Sequence, residues 1–413
     1  MTSLRRSCSL CVVAGALGVT MLGTTLPTPL YALYEDAWGF STLTGTLIFS
    51  AYALGVVAAL LLLGRTSDVI GRKPVLLLGI ACASASDAVF LSAHGVSLLV
   101  VGRLLSGVSA GTFTGTATAA LVDLSPATAQ DRATLVATVA SMGGLALGPL
   151  VAGQLAGLTS APLVLPYVVH LGLVALAALG LGTVPETVPR SGRGPVQRPR
   201  LGVPAEMRRV FARLALPGFA GFGVLGLFAS VGPTYLHQLL RLSGPGLTGG
   251  ATSVVFAASR GGQVASVRLP RRSALGVGSV ALVGGLGLLA LALVAPSLPL
   301  VLAAGCVAGV GQGITFRVGL TQLNERAPET RRAEVASAFF AVMYAGISLP
   351  VVAVGLGADA WGLRATGVIF CLAMAVLCLA PVGPKVLLGQ ISSTTTRQPP
   401  TRHSCRERSE VSP

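Results

Sequence analysis

The stretch GRTSDVIGRKP, Gly64 to Pro74, interrupts a long apolar part of the sequence. The apolar segment AYALGVVAALLLL precedes it, and VLLLGIACASA follows it. The charged residues Arg65, Asp68, Arg72 and Lys73 are concentrated in this stretch. About 20 apolar residues form a helix that crosses a bilayer. A short charged turn between two such segments therefore predicts a helical hairpin that crosses a membrane twice.

The composition extends this prediction to the whole chain. Of the 413 residues, 53% are hydrophobic and only 10% are charged, whereas about a quarter of the residues of a soluble domain are charged. The sequence lacks the alternating ten-residue segments of a membrane β-barrel. The predicted fold is an all-α membrane protein with twelve transmembrane helices in two six-helix halves. The predicted spans are 8–30, 41–63, 73–93, 97–121, 133–156, 162–183, 213–232, 246–267, 273–295, 298–320, 334–356 and 364–386.

Basic residues sort the loops into two alternating sets. The net charge is +15, and the basic clusters fall in every second loop, while the alternate loops hold only Arg241 and Arg364. This pattern predicts that the basic loops and both termini lie in the cytoplasm of a multi-pass cell-membrane protein. Because the charge has this topological cause, nucleic acid is not an expected partner. The predicted organisation is a first half at 1–185, a central cytoplasmic loop at 186–212, a second half at 213–387 and a disordered tail at 388–413.

An internal repeat supports the division into halves. The segment that starts at Gly107 resembles the segment that starts at Gly309, 202 residues later, with glycine, leucine, proline and threonine matches and no gap. Such a repeat predicts two halves related by an axis along the membrane normal, which is one of the designs of secondary transporters.

The charged stretch also carries a motif, Gly64-x-x-x-Asp68-x-x-Gly71-Arg72-Lys73. It resembles the signature loop of the major facilitator superfamily, which lies between the second and third helices of those transporters. Cations suit a cytoplasmic loop, but topology does not account for Asp68. The resemblance implies that this acid latches the two halves together at the cytoplasmic side when the protein opens outward, near the start of the eleventh helix, where Arg331 and Arg332 lie. The alternative is a solvated loop acid.

Two charged residues inside the spans are candidates for proton coupling, because such residues are costly and usually functional. Arg103 is followed by Gly107 and Gly111, and a similar arginine and glycine in the superfamily are linked to proton coupling. The alternative is an arginine that extends to the interface. Asp87 is a candidate proton carrier, although it could instead lie near the outer surface. Weaker polar candidates for a transport path are His170, Arg260, Gln263 and Arg317.

The fifth span contains small residues and a proline, in the segment GLALGPLVAG that begins at Gly144 and ends at Gly153. Small residues allow close helix packing, and proline can bend a helix. The segment resembles a motif of the superfamily's proton-linked antiporters, especially drug exporters, with Ala152 in place of one glycine. A generic packing face is the alternative. The residues assigned to this motif are Gly144, Gly148, Pro149 and Gly153.

These features predict a secondary active transporter that exports small molecules, such as drugs, by proton antiport. The alternatives are an importer of sugars or metabolites, and a non-transporting membrane sensor with the same fold. The sequence shows no P-loop, metal cluster or nucleophile–base spacing, so an enzyme, a cofactor and a metal are not expected. The expected partners are a small-molecule substrate, protons and membrane lipids, and the expected state is a monomer.

Overall fold

The computed structural model describes residues 3–63, 66–188, 202–242, 244–328 and 331–380. Twelve long helices lie in these ranges, which confirms the predicted number. They are α1 Ser3–Thr25, α2 Thr42–Leu63, α3 Arg72–Leu91, α4 Val96–Leu124, α5 Gln130–Gly157, α6 Leu165–Thr183, α7 Arg208–Ser230, α8 Pro245–Ala265, α9 Ala274–Val294, α10 Leu298–Arg326, α11 Arg332–Trp361 and α12 Leu363–Leu379.

Ten of the described helical segments are long and apolar enough to cross a membrane. The other two helices of the twelve are α8 and α12. Helix α8 carries Arg260 and Gln263 among several glycines, which lowers its hydropathy, and α12 is only 17 residues long. The end of the twelfth predicted span, 381–386, and the predicted tail, 388–413, lie outside the described residues.

The first predicted span, 8–30, is wrong in its limits. Helix α1 begins at Ser3 and ends at Thr25, and a 3-10 turn at Thr28–Leu30 leads into a separate short helix, Tyr31–Trp38. Pro27 and Pro29 account for the break, because proline has no N–H to donate within a helix. The break creates a connecting segment that the sequence pattern merges with the span.

The two halves repeat the same helix crossings. A methyl group on Gly107 of α4 would overlap the backbone oxygen of Tyr52 of α2. A methyl group on Gly309 of α10 would lie 2.5 Å from the backbone oxygen of Val255 of α8. Tyr52 and Val255 are also related by the repeat, at a separation of 203 residues. Each half therefore packs its second and fourth helices through a repeat-related glycine, Gly107 in the first half and Gly309 in the second.

Two faces of the helix bundle can be named from their residues. The basic face contains the loops around Arg72, Arg271 and Arg331, and the acidic face contains the short helix Tyr31–Trp38 with Glu35 and Asp36. Consecutive spans run in opposite directions between these faces. The names describe charge alone, and the assignment of the basic face to the cytoplasm stays a prediction.

The buried cores show how the halves meet. One core contains residues of both halves and includes Leu26, Phe49, Phe228 and Val351. Two further cores lie closer to the basic face, and each contains buried residues of one half only; Leu121 belongs to one of them and Leu323 to the other. The buried cores therefore join the halves toward the acidic face and divide toward the basic face, from which we infer a cleft between the halves on the basic side.

Close contacts between the halves lie at the acidic ends of two helix pairs. Gly355 of α11 faces Leu43 and Thr46 at the start of α2. Gly153 of α5 faces Gly249 of α8, and a methyl group on Gly249 would overlap the carbonyl oxygen of Pro149. Glycine lets these backbones approach closely, as small residues do at other membrane-helix interfaces.

Candidate functional site: the cleft between the halves

The charged stretch forms a network within the first half. Arg72 forms an ion pair with Asp68, four residues earlier in a separate short helix at Thr66–Ile70, at 2.5 Å, and with Asp123 of α4 at 3.2 Å. Glu186, after α6, accepts a hydrogen bond from the Arg72 backbone N–H at 2.8 Å. The network joins the basic ends of three helices, so the motif stabilises its own half.

Gly71 is needed for this network. Its φ of 104° lies in the left-handed region that favours glycine, and its Cα packs against the Glu186 carboxylate, which a methyl group would overlap. Lys73 donates from its Nζ to the backbone oxygens of Gly182 at 2.5 Å and Val184 at 3.0 Å. Asp123 and Glu186 were not predicted from the sequence, because they lie far from Arg72 along the chain and no local pattern indicates the contact.

Among the described residues, no ion pair joins Asp68 to Arg331. Asp68 pairs with Arg72, and Arg331 pairs with Glu334 of its own half at 2.9 Å. Arg332 is the first residue of α11. The latch was predicted for the outward-open state, which is closed toward the basic face. The buried cores of the two halves are separate toward that face here, so the contact stays a prediction. Gly64 of the predicted latch lies outside the described residues.

Arg103 is fully buried, with none of its surface exposed, so it does not extend to the membrane interface in this structure. Its Nε donates to the Tyr31 hydroxyl, and its Nη1 donates to the backbone oxygen of Thr24 at 2.6 Å. The rings of Tyr31, Phe49 and Tyr52 lie 5.3 to 5.6 Å from its Cζ atom. This is a pocket of aromatic faces, which attract a cation.

Asp87 lies in α3 and pairs with a residue of α6. Its Oδ2 atom is 2.7 Å from Nδ1 of His170, and both side chains are buried. The other ring nitrogen of His170 is 3.0 Å from the Val19 backbone oxygen of α1. Three helices of the first half are therefore held by one titratable pair. Both residues were candidates from the sequence, but no sequence pattern predicted that Asp87 and His170 are in contact.

The small residues of α5 contact two different helices. Gly144 and Gly148 face α1, where a methyl group on either would overlap the backbone oxygen of Gly18 or Leu22. Pro149 and Gly153 face α8 of the other half. The motif thus fixes α5 within the first half and also forms part of the contact that closes the acidic face.

Aromatic side chains extend from Arg103 across the boundary between the halves. The Tyr52 ring lies 6.4 Å from the Tyr344 ring of α11, which lies 6.4 Å from Phe222 of α7. Phe222 in turn packs 5.4 Å from Phe316 of α10. Tyr344, Phe222 and Phe316 are partly exposed, so they offer an aromatic wall where the core shared by the halves meets the cores that belong to one half each.

An apolar cavity inside the second half is a poor candidate for the cargo site. Its volume is about 40 Å³, and residues such as Leu227, Tyr235 and Leu363 line it. Sites for drug-sized ligands usually occupy about 300–1,000 Å³. The cleft between the halves is therefore the better candidate.

Two repeated helical halves that close one face and leave a cleft at the other define the class of secondary transporters. The sequence model of the Major Facilitator Superfamily matches residues 9–349. The chain belongs to this superfamily, which confirms the resemblance that its motifs indicated.

Two curated relatives match parts of the chain. Human major facilitator superfamily domain-containing protein 10 is 32% identical over 138 residues, which are 33% of this chain and 29% of that protein. The class E tetracycline resistance protein of Escherichia coli is 30% identical over 140 residues, which are 33% of each chain. The matched segments thus span only about a third of these relatives.

Solved structures share the fold over nearly the whole length. An inward-facing, unoccupied bacterial homologue of the human lysosomal transporter Spinster has a TM-score of 0.76 and 16% identity, with 94% of this chain and 99% of that chain covered. The human organic anion transporter MFSD10 has a TM-score of 0.65 and 19% identity, with 91% and 99% covered.

Proposed function

We propose that this transporter exports small molecules, including drugs, by proton antiport and alternating access. The observation that carries the proposal is that contacts between the halves close the acidic face, whereas the buried cores of the two halves are separate toward the basic face. With the basic face in the cytoplasm of the cell membrane, cargo enters the cleft from inside. Because one chain supplies both sides of the cleft, a monomer surrounded by lipid is sufficient.

The relative named for tetracycline resistance supports export, and the α5 motif resembles that of antiporters. This motif contributes to the closed acidic face through Gly153 and Gly249. Rocking of the halves would separate these residues and would bring the basic ends together. In that state we propose that Asp68 contacts the start of α11 near Arg331 and Arg332, which completes the latch.

Proton coupling is assigned to Asp87 with His170. We assign one shared proton to the buried pair, which then has no net charge, whichever of the two residues holds the proton. A second proton would make the buried pair cationic, which a low-dielectric interior disfavours. The additional proton therefore binds better in a state that admits water, and this difference between states is what coupling requires.

The test is flux in proteoliposomes with an imposed pH gradient, for a panel of cationic, neutral and anionic probes that includes tetracycline. Proton antiport predicts that cargo and protons cross the membrane in opposite directions. Asp87→Asn is expected to abolish this dependence, while Asp36→Asn, a control at the exposed acidic face, keeps it. Flux in the same direction as the protons would favour the importer, and no flux for any probe would favour a sensor.

The latch is tested by cysteine crosslinking in a cysteine-free background. Asp68→Cys combined with Arg331→Cys is expected to crosslink during turnover, and more than Asp68→Cys combined with Arg268→Cys. If the first pair gives no crosslink in any condition that supports transport, the latch is wrong.

A further inference from the structure

Arg103 carries a buried positive charge for which the described structure provides no acidic partner. None of the ion pairs between described residues includes it. The described acids of the first half have other contacts: Asp68 and Asp123 with Arg72, Asp87 with His170, Asp36 near His237, Glu35 with Thr234, and Glu186 with the backbone of Arg72. A buried charge without a counter-ion is costly and needs an explanation.

One nitrogen of Arg103 is also unsatisfied. Nε and Nη1 have oxygen acceptors, but Nη2 is buried and has no hydrogen-bond partner in the described part of the chain. Few buried polar groups lack a partner in native proteins, and an exception often marks a site for a ligand, ion or water. The three rings around the guanidinium reduce the cost of the charge but accept no conventional hydrogen bond from Nη2.

The surroundings favour an anion with an apolar body. Tyr52 touches the guanidinium on one side and the Tyr344 ring on the other, and the aromatic wall continues through Phe222 and Phe316. A carboxylate or sulfonate matches the geometry of a guanidinium. Aromatic rings provide the apolar surface that sites for small molecules usually have.

The second half adds positive charge on the basic side of this path. The sequence contains no Asp or Glu between Glu206 and Glu325. Arg317 of α10 donates to the Gln263 backbone oxygen of α8 at 3.1 Å, and the Gln263 side chain contacts Met142 of α5. Arg260 is close enough to Arg317 for their charges to repel. This uncompensated charge, where α8 meets the first half, would attract anions toward the cleft.

We propose that the cargo of this transporter is an amphipathic organic anion whose acid group binds Arg103 and whose apolar body lies along the wall of Tyr52, Tyr344, Phe222 and Phe316. The ring of Tyr52 moves aside to admit the acid group to Nη2. This inference rests on the proposed transport function, since it names the chemical class that the cleft carries. Inorganic anions and anionic lipid headgroups share the acid chemistry, and the test separates them.

The test measures binding to the purified full-length protein in nanodiscs of neutral phosphatidylcholine, by calorimetry. The probes are 4-tert-butylbenzoate, the neutral 4-tert-butylbenzamide and the cationic 4-tert-butylbenzylamine, which share one apolar body. The benzoate is expected to bind at least tenfold more tightly than either analogue. Equal binding of the three probes would overturn the proposal, and this comparison needs no variant to fold.

Variants then locate the site. Arg103→Met is expected to weaken benzoate binding by about a hundredfold, and Arg103→Lys by less, because lysine keeps the charge but lacks the planar fork. Arg271→Gln removes one exposed arginine of the basic face and is the matched control, with unchanged binding expected. An equal loss in Arg271→Gln and Arg103→Met would show a general charge effect and would overturn the proposal.

Competition separates the possible sources of the anion. Chloride or phosphate that displaces the benzoate as effectively as another aryl carboxylate would indicate an inorganic anion site. Loss of benzoate binding in nanodiscs with phosphatidylglycerol would indicate a lipid headgroup site. Either result would overturn the proposal. If a cationic cargo shows proton-coupled flux but benzoate does not bind, only the inference of an anion site is overturned. If benzoate binds but no probe shows flux, the proposed transport is overturned and the anion site remains.

Discussion

The crossing of α5 and α8 gives the sharpest test of the closed acidic face. In Gly249→Ala, the added methyl group would overlap the Pro149 carbonyl oxygen and lie 3.2 Å from the Gly153 Cα atom. Both obstacles are backbone, so they yield only if the two helices move apart. Overpacking of this kind costs about 1–3 kcal/mol. Because the crossing exists only when the acidic face is closed, the cost falls on that state alone.

A difference of about 1–3 kcal/mol shifts the ratio of the two states between about fivefold and about a hundredfold, at about 1.4 kcal/mol for each factor of ten. Gly250→Ala is the matched control, since nothing lies within 4 Å of a methyl group there. Both changes replace glycine by alanine in α8, so both gain about the same helix propensity. Only Gly249→Ala carries the clash.

The assay is electron–electron distance measurement between spin labels at positions 160 and 295, in a cysteine-free background. Ser160 and Ala295 are exposed residues at the acidic face, one in each half. Gly249→Ala is expected to increase the population with the longer distance, relative to Gly250→Ala. Indistinguishable distance distributions in the two variants would refute the argument that this crossing holds the acidic face shut.

Three further predictions follow from single contacts. Asp87→Leu is expected to lower the free energy of unfolding in detergent by about 3–5 kcal/mol, because it leaves the buried His170 without its partner. The double variant Asp87→Leu with His170→Leu should recover most of this loss. Additive effects of the two substitutions would contradict the argument that the two side chains stabilise the fold as a pair. Gly71→Ala is expected to lower the free energy of unfolding by about 1–3 kcal/mol, because alanine is strained at the φ of 104° found there. The control Gly95→Ala, at an extended φ of 179°, should change the melting temperature little. Equal melting temperatures of the two variants would rule out backbone strain at Gly71. Glu35→Ala removes the acceptors for the Thr234 hydroxyl at 3.0 Å and the Gln238 amide at 3.4 Å across the halves. The loss of two bonds at about 1 kcal/mol each should raise the labelling of an acidic-face cysteine by an impermeant maleimide about 25-fold. Unchanged labelling would mean that these bonds do not hold the face closed.

Much of the architecture follows from local sequence. Runs of apolar residues set the number of spans, because a bilayer leaves backbone groups no partners outside a helix. The repeat around Gly107 and Gly309 marks the same helix crossing in each half. The limits of α1 were missed, because Pro27 and Pro29 lie in a segment that is otherwise apolar enough to read as one span.

For the charged stretch from Gly64 to Pro74, the sequence predicted the motif but not its tertiary contacts. Its motif identified the superfamily, and Gly71 has the left-handed backbone that only glycine adopts easily. Its partners Asp123 and Glu186 were not foreseen, because ion pairs across a helix bundle depend on which helix ends meet. The same holds for Asp87 with His170, which are 83 residues apart.

The sequence by itself determined that this chain is a twelve-helix membrane protein with repeated halves, because hydropathy and glycine spacing act along one helix at a time. Only the tertiary structure decided that the acidic face is closed, that His170 completes a pair with Asp87, and that Arg103 is enclosed by aromatic rings with one nitrogen unsatisfied. Those features depend on groups brought together from distant helices. The distance between them is a property of packing, which no local pattern of residues encodes.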